Sequence, residues 1–171
     1  MSALLTVLRL IHILCGVYWA GTVFFFVTFL DPSLRSLGPD GGKVMMRLFE
    51  RGYLKLIPIV AMLTVLSGLW MLWILSGGFS AEYMRSSIGR ALQAGGELAI
   101  IAIIIGITVM PPAGARVFAI AQQLPQLRDE SEKKTLVSEM DRLRARLGSS
   151  GRIVFVLLVG AVALMAVARY I

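Results

Sequence analysis

Arg9, His12 and Glu97 are the ionisable residues of four long runs that otherwise suit lipid. In "LRLIHILCGVYWAG" (8–21), Arg9, His12 and Trp19 fall near one helical face, with Cys15 beside them. A neutral imidazole is a common ligand for haem iron and for copper. A carboxylate beside it fixes its tautomer and raises its basicity. Glu97 can play that part, with Gln93 one helical turn away. The functional reading is a polar pocket around a metal ligand, His12, with Arg9, Trp19, Gln93, Glu97 and Met71 as its cofactor-contacting residues. From residue types and spacing, a haem or other redox site and a copper site both stay open. The competing reading is interhelical glue, in which Arg9, His12 and Glu97 satisfy one another and nothing is bound.

Other chemistry is thinner. Cys15 follows His12 by three residues, which makes a His/Cys copper site conceivable. A lone cysteine among apolar neighbours is more often a small buried hydrophobe. Thioethers suit Cu(I), but the nine methionines form no MxxM or MxxxM run inside a span. The sequence holds no phosphate loop, no HExxH and no nucleophile triad.

The elements that must position these residues follow from hydropathy. Of the 171 residues 57% are hydrophobic, above the roughly 45–50% of soluble domains, and the mean hydropathy is +0.80. The excess sits in four segments. Residues 3–30 carry one charge, Arg9; 56–76 carry none; 91–110 carry only Glu97; 153–168 carry none. About 20 apolar residues cross a hydrocarbon core. Backbone in lipid must satisfy itself, so the segments are read as helices. The first segment lacks a basic start and a clear cleavage site, and is read as a retained helix. The expected fold is all-α: one four-helix transmembrane bundle with helices at about 3–30, 54–77, 88–110 and 152–170.

The net charge of +7 is spread unevenly. Arg35, Lys43, Arg47, Arg51 and Lys55 lie in the loop 31–55, and Arg116, Arg128, Lys133, Lys134, Arg142, Arg144, Arg146 and Arg152 in the loop 111–152. Only Arg9, Arg85, Arg90 and Arg169 fall on the other side. The positive-inside rule then places both long loops in the cytoplasm and both termini outside, in a multi-pass protein of a bacterial inner membrane. The basic faces are expected to meet anionic lipid. Nucleic acid is not expected, because no aromatic residues interleave the cations. One cysteine cannot form an internal disulfide.

Within the loops, "DPSLRSLGPDGG" (31–42) reads as turn residues ending helix 1. "KVMMRLFERGYLKL" (43–56) reads as a basic amphipathic helix running into helix 2, with Gly52 and Pro58 as bend points. Pro111 and Pro112 are expected to end or kink helix 3. Pro125 breaks the helical pattern beyond them. Leu136, Met140, Leu143 and Leu147 repeat at helical spacing, so residues 113–147 are expected to form a cytoplasmic helical hairpin between helices 3 and 4.

With these boundaries, His12 lies about 14 Å and Glu97 about 12 Å from the outer face, at 1.5 Å per residue. An Arg9–Glu97 pair, direct or through His12, is therefore expected. Thr64, Ser67, Gly68 and Met71 of helix 2 and Met165 of helix 4 reach the same level. Gly16, Ala20 and Gly68 are small enough for close approach of helices or a flat macrocycle.

His12 followed by Trp19, Ala20 and Gly21 resembles the opening of a group of four-helix membrane proteins. The group includes the HemJ-type protoporphyrinogen oxidases and the CopD-like copper-resistance membrane domains. "FERGYLKLIPIVAMLTVLSGLW" adds Glu50, Arg51, Pro58, Ala61, Met62, Thr64 and Gly68. The likeness covers about residues 5–75. It implies a bundle that binds b-type haem through His12. The third span offers Gln93 and Glu97 where HemJ-type enzymes use a lysine. With one histidine in the chain, bis-histidine ligation inside one subunit is impossible. The functional expectation is a haem-binding or redox-linked membrane protein, as a homo-oligomer or part of a larger membrane complex. The alternatives are a cofactor-free helix-packing subunit and a copper-handling protein.

Overall fold

The computed structural model describes residues 3–171, and those residues form helices and turns with no strand. Four of the helices are long and apolar enough to cross a membrane. The first begins as α1 (Ala3–Phe25) and passes through a π-helical turn (Phe26–Leu30) into α2 (Asp31–Ser36). The expected stop at Asp31 does not occur. Pro32 has no N–H, and its ring crowds the carbonyl four residues back. The helix answers by widening: the Asp31 N–H bonds to the Phe26 carbonyl, five residues away. The break comes at Gly38, whose φ of +55° is open to glycine.

Helix α3 (Pro39–Glu50) is the basic amphipathic element, but it does not run into the second span. Gly52, at φ +88°, separates it from α4 (Tyr53–Leu75), which continues unbroken through Pro58. The link after α4 turns on Gly77 and Gly78, and Ser76 Oγ accepts the Phe79 N–H at 2.7 Å. A short α5 (Ala81–Arg85) comes next. Ser86 then caps α6 (Ser87–Gln123) by accepting the Gly89 N–H at 3.0 Å.

The expected separate insert at 113–147 is corrected. Helix α6 runs through Pro111 and Pro112, and α7 (Glu130–Val167) runs unbroken through the fourth span. The hairpin is therefore the far ends of two spanning helices, turned by a 3-10 segment at Leu124–Gln126 and capped by Asp129. Two missing proline N–H groups are not enough to stop α6, because α7 packs along it. Ala113, Gly114 and Ile120 of α6 and Met140, Ser150 and Gly151 of α7 are buried. The "GSSG" run (148–151) is a contact, not a linker. Gly148 leaves room for the Arg35 guanidinium, and Gly151 lies beside Val27 and Met110.

Helix α1 packs on α4, α4 on α6, α6 on α7 and α7 on α1, closing a ring. The core inside it is Trp19, Ala61, Ala99, Ala102, Ile103, Val154, Leu158 and Ala161. On α6 the buried Ala91, Gly95, Ala99 and Ala102 form a stripe of small residues. A Cβ on Gly95 would sit 3.2 Å from the Ala161 carbonyl, so this stripe lets α7 approach at backbone distance.

Candidate functional site

At the end of the ring that holds the start of α1 and the end of α7, the four helices enclose a cavity of about 410 Å³. Its walls are mainly leucine, isoleucine, valine, glycine and alanine from all four helices. That volume falls within the range of about 300–1,000 Å³ common for small-molecule sites. Arg9, His12, Trp19, Met71 and Met165 line it.

His12 is fixed by one hydrogen bond. Its Nδ1 lies 2.8 Å from the Thr64 backbone carbonyl. A carbonyl oxygen only accepts, so Nδ1 carries the proton and donates it. In the neutral ring the other nitrogen, Nε2, is the one that carries the lone pair, and it has no hydrogen-bond partner among the described residues. Gly68 makes this placement possible. A Cβ there would lie 2.7 Å from His12 Cε1 and 2.9 Å from Nδ1. The Thr64 hydroxyl is spent inside its own helix, donating to the Val60 carbonyl at 2.9 Å. Ser67 Oγ likewise donates to the Leu63 carbonyl at 2.6 Å.

Trp19 is only 4% exposed and belongs to both the core and the cavity wall. Its indole N–H has no hydrogen-bond partner among the described residues, yet no buried polar side-chain atom among them is left unpaired. The N–H therefore retains some access. Arg9 is exposed and makes no ion pair among the described residues. The cavity is thus lined by three residues, Arg9, His12 and Trp19, that each keep a polar group without a partner among the described residues.

Gln93 and Glu97 are not part of this wall. Gln93 Nε2 donates to Glu97 Oε1 at 2.8 Å, and both side chains are exposed on the outer side of α6. The expected Arg9–Glu97 pair is absent among the described residues, although both residues lie toward one end of the bundle. Helical phase explains this. Glu97 follows Gly96 by 100° and turns away from the cavity that Gly96 lines. Cys15 also does not line the cavity. Among the described residues no three His, Cys, Asp or Glu side chains gather in a way that could hold a metal ion. The Thr64 carbonyl is not legible from residue types, since every residue carries a backbone acceptor. The glycine one turn beyond it is the only hint.

No protein-family model, curated protein sequence or solved structure matches the chain.

Proposed function

We propose that this is a multi-pass membrane protein, with both termini outside, whose cavity binds a haem-type group through His12. The observation that carries the reading is the His12 tautomer. Nδ1–H is committed to the Thr64 carbonyl, which orients the ring and leaves Nε2 as a metal donor. The residues present fit such a group. The imidazole and the thioethers of Met71 and Met165 all line the cavity, and Gly16, Gly68 and Gly96 keep its walls low. A haem bound there supplies one-electron redox chemistry. The protein's own part is to orient the imidazole through the Thr64 carbonyl and to offer apolar walls to the group. The outward Gln93–Glu97 pair supports a place in an oligomer or larger membrane complex, because ionisable residues in a span seldom face lipid.

An absorption spectrum and metal analysis of protein prepared gently from its native membrane test the reading. The expected result is a Soret band that shifts on reduction and is lost or strongly reduced in His12→Ala while the variant still inserts. A colourless, metal-free wild type sinks it. The same hydrogen bond favours a second reading, in which His12 only clasps α1 to α4. His12→Gln is then nearly neutral, since an amide keeps an interhelical bond worth about 0.6 kcal/mol. Copper handling has less to stand on, because Cys15 lies outside the wall that His12 lines.

A further inference from the structure

We propose that the cavity takes an apolar molecule with an anionic head, and that Arg9 pairs with that head. The inference rests on reading the cavity as a ligand site, but not on iron. Arg9 lines the cavity and is exposed at the terminal end of the bundle, about two turns into α1. No aspartate or glutamate among the described residues lines the same walls. The nearest acid by depth, Glu97, is held by Gln93 on the outer side of α6. The guanidinium therefore has no counter-charge among the described residues. An exposed cation at the edge of an apolar wall attracts a charged partner, with part of that attraction screened by solvent. Guanidinium binds planar carboxylates and phosphates through paired N–H donors.

The apolar walls select the body of the ligand as Arg9 selects its head. Around Arg9 the walls include Leu5, Ile13, Leu69, Leu72, Leu92 and Val162. These accept hydrocarbon and offer no side-chain hydrogen bonds. His12, one turn beyond Arg9 on α1, and Trp19, further along the same helix, line the same cavity. The fitting ligand has an acid at one end and a hydrophobic body long enough to reach the imidazole. An acidic membrane lipid and an organic acid cofactor both satisfy that description.

The test uses the full-length protein in nanodiscs of neutral lipid, with the fluorescent fatty acid cis-parinaric acid and its methyl ester as probes. Wild type is expected to bind the acid at least about tenfold more tightly than the ester, the scale of one charge-assisted hydrogen-bonded pair. Arg9→Gln should remove that preference, with folding of the variant checked by monodisperse elution and thermal unfolding in detergent. Arg9→Lys should keep part of the preference. Competition by phosphatidylglycerol, set against competition by a soluble short-chain carboxylate, separates the two ligand sources; displacement by either supports an anionic head. Equal affinity of wild type for acid and ester overturns the proposal, as does a preference that survives Arg9→Gln. Either result means that Arg9 only reaches toward the lipid headgroups. His12→Gln separates this idea from the haem reading. The acid preference should persist in that variant, whether or not the wild type ever shows a Soret band.

Discussion

The His12 ring is held by two features of α4, an acceptor and a gap. The acceptor is the Thr64 carbonyl, and the gap is Gly68, one turn further on. The gap can be tested without touching the histidine. Gly68→Ala places a methyl group against Cε1 and Nδ1, so the ring must move or α1 must shift from α4. Overpacking of this kind costs about 1–3 kcal/mol. Thermal unfolding in detergent should show the loss, and any His12-dependent ligand signal should fall with it. Gly106→Ala is the matched control. Nothing lies within 4 Å of a Cβ there, so the change should be neutral or stabilising by about 0.5–1 kcal/mol from backbone entropy. Equal effects of the two substitutions would mean that His12 is not seated on Gly68. Arg9 shows the limit of reading one residue type at a time. Its charge is visible in the sequence and its depth matches that of Glu97, yet the two face different surroundings. Depth follows from residue count, whereas facing depends on helical phase relative to neighbours that the sequence does not fix.

At the scale of elements, hydropathy locates all four spans, and proline and glycine locate only some of their ends. Pro125 and Gly38 end helices, while Pro32, Pro58, Pro111 and Pro112 lie within helical stretches. The difference is what each helix leans on. Helix α6 has α7 beside it from Ala91 to Ile120, so the packing of buried residues outweighs two missing hydrogen bonds. Beyond the apolar run, the pair is tied by Arg116 and Glu139, with Nε–Oε1 at 2.7 Å and Nη2–Oε2 at 3.0 Å. The two residues are 23 positions apart, so this pair reports the antiparallel register of the hairpin directly. Both are partly exposed, so solvent and salt screen the pair and keep it weak. Arg116→Glu or Glu139→Arg alone should lower hairpin stability, measured as faster amide exchange across 113–123 and 130–147. The double reversal should recover most of the loss. Additive losses in that cycle would show that the helices are held by Ile120 and Met140 packing alone.

At the scale of the whole molecule, an inverted surface and an asymmetric charge meet. No more than 28% of the most apolar stretch of any span is buried. Leu14, Val17, Leu66 and Val156 each expose more than half of their surface. Apolar area on that scale needs a nonpolar surrounding, and four spanning helices supply the geometry for a bilayer. The proposed orientation rests on thirteen basic residues at the α2, α3 and hairpin end against four at the other. Under the positive-inside rule the first group would face the cytoplasm, and the cavity with Arg9 and His12 would then lie in the outer half. Cysteine labelling in intact cells tests the placement. In a Cys15→Ser background, Ser86→Cys should react with a membrane-impermeant maleimide, and Ser138→Cys should react only after permeabilisation. Both serines are exposed, so a failure to label reflects the side of the membrane and not burial. The reverse pattern would turn the bundle over. It would set the cavity mouth in the cytoplasmic leaflet, and any ligand pairing with Arg9 would then have to arrive from inside the cell.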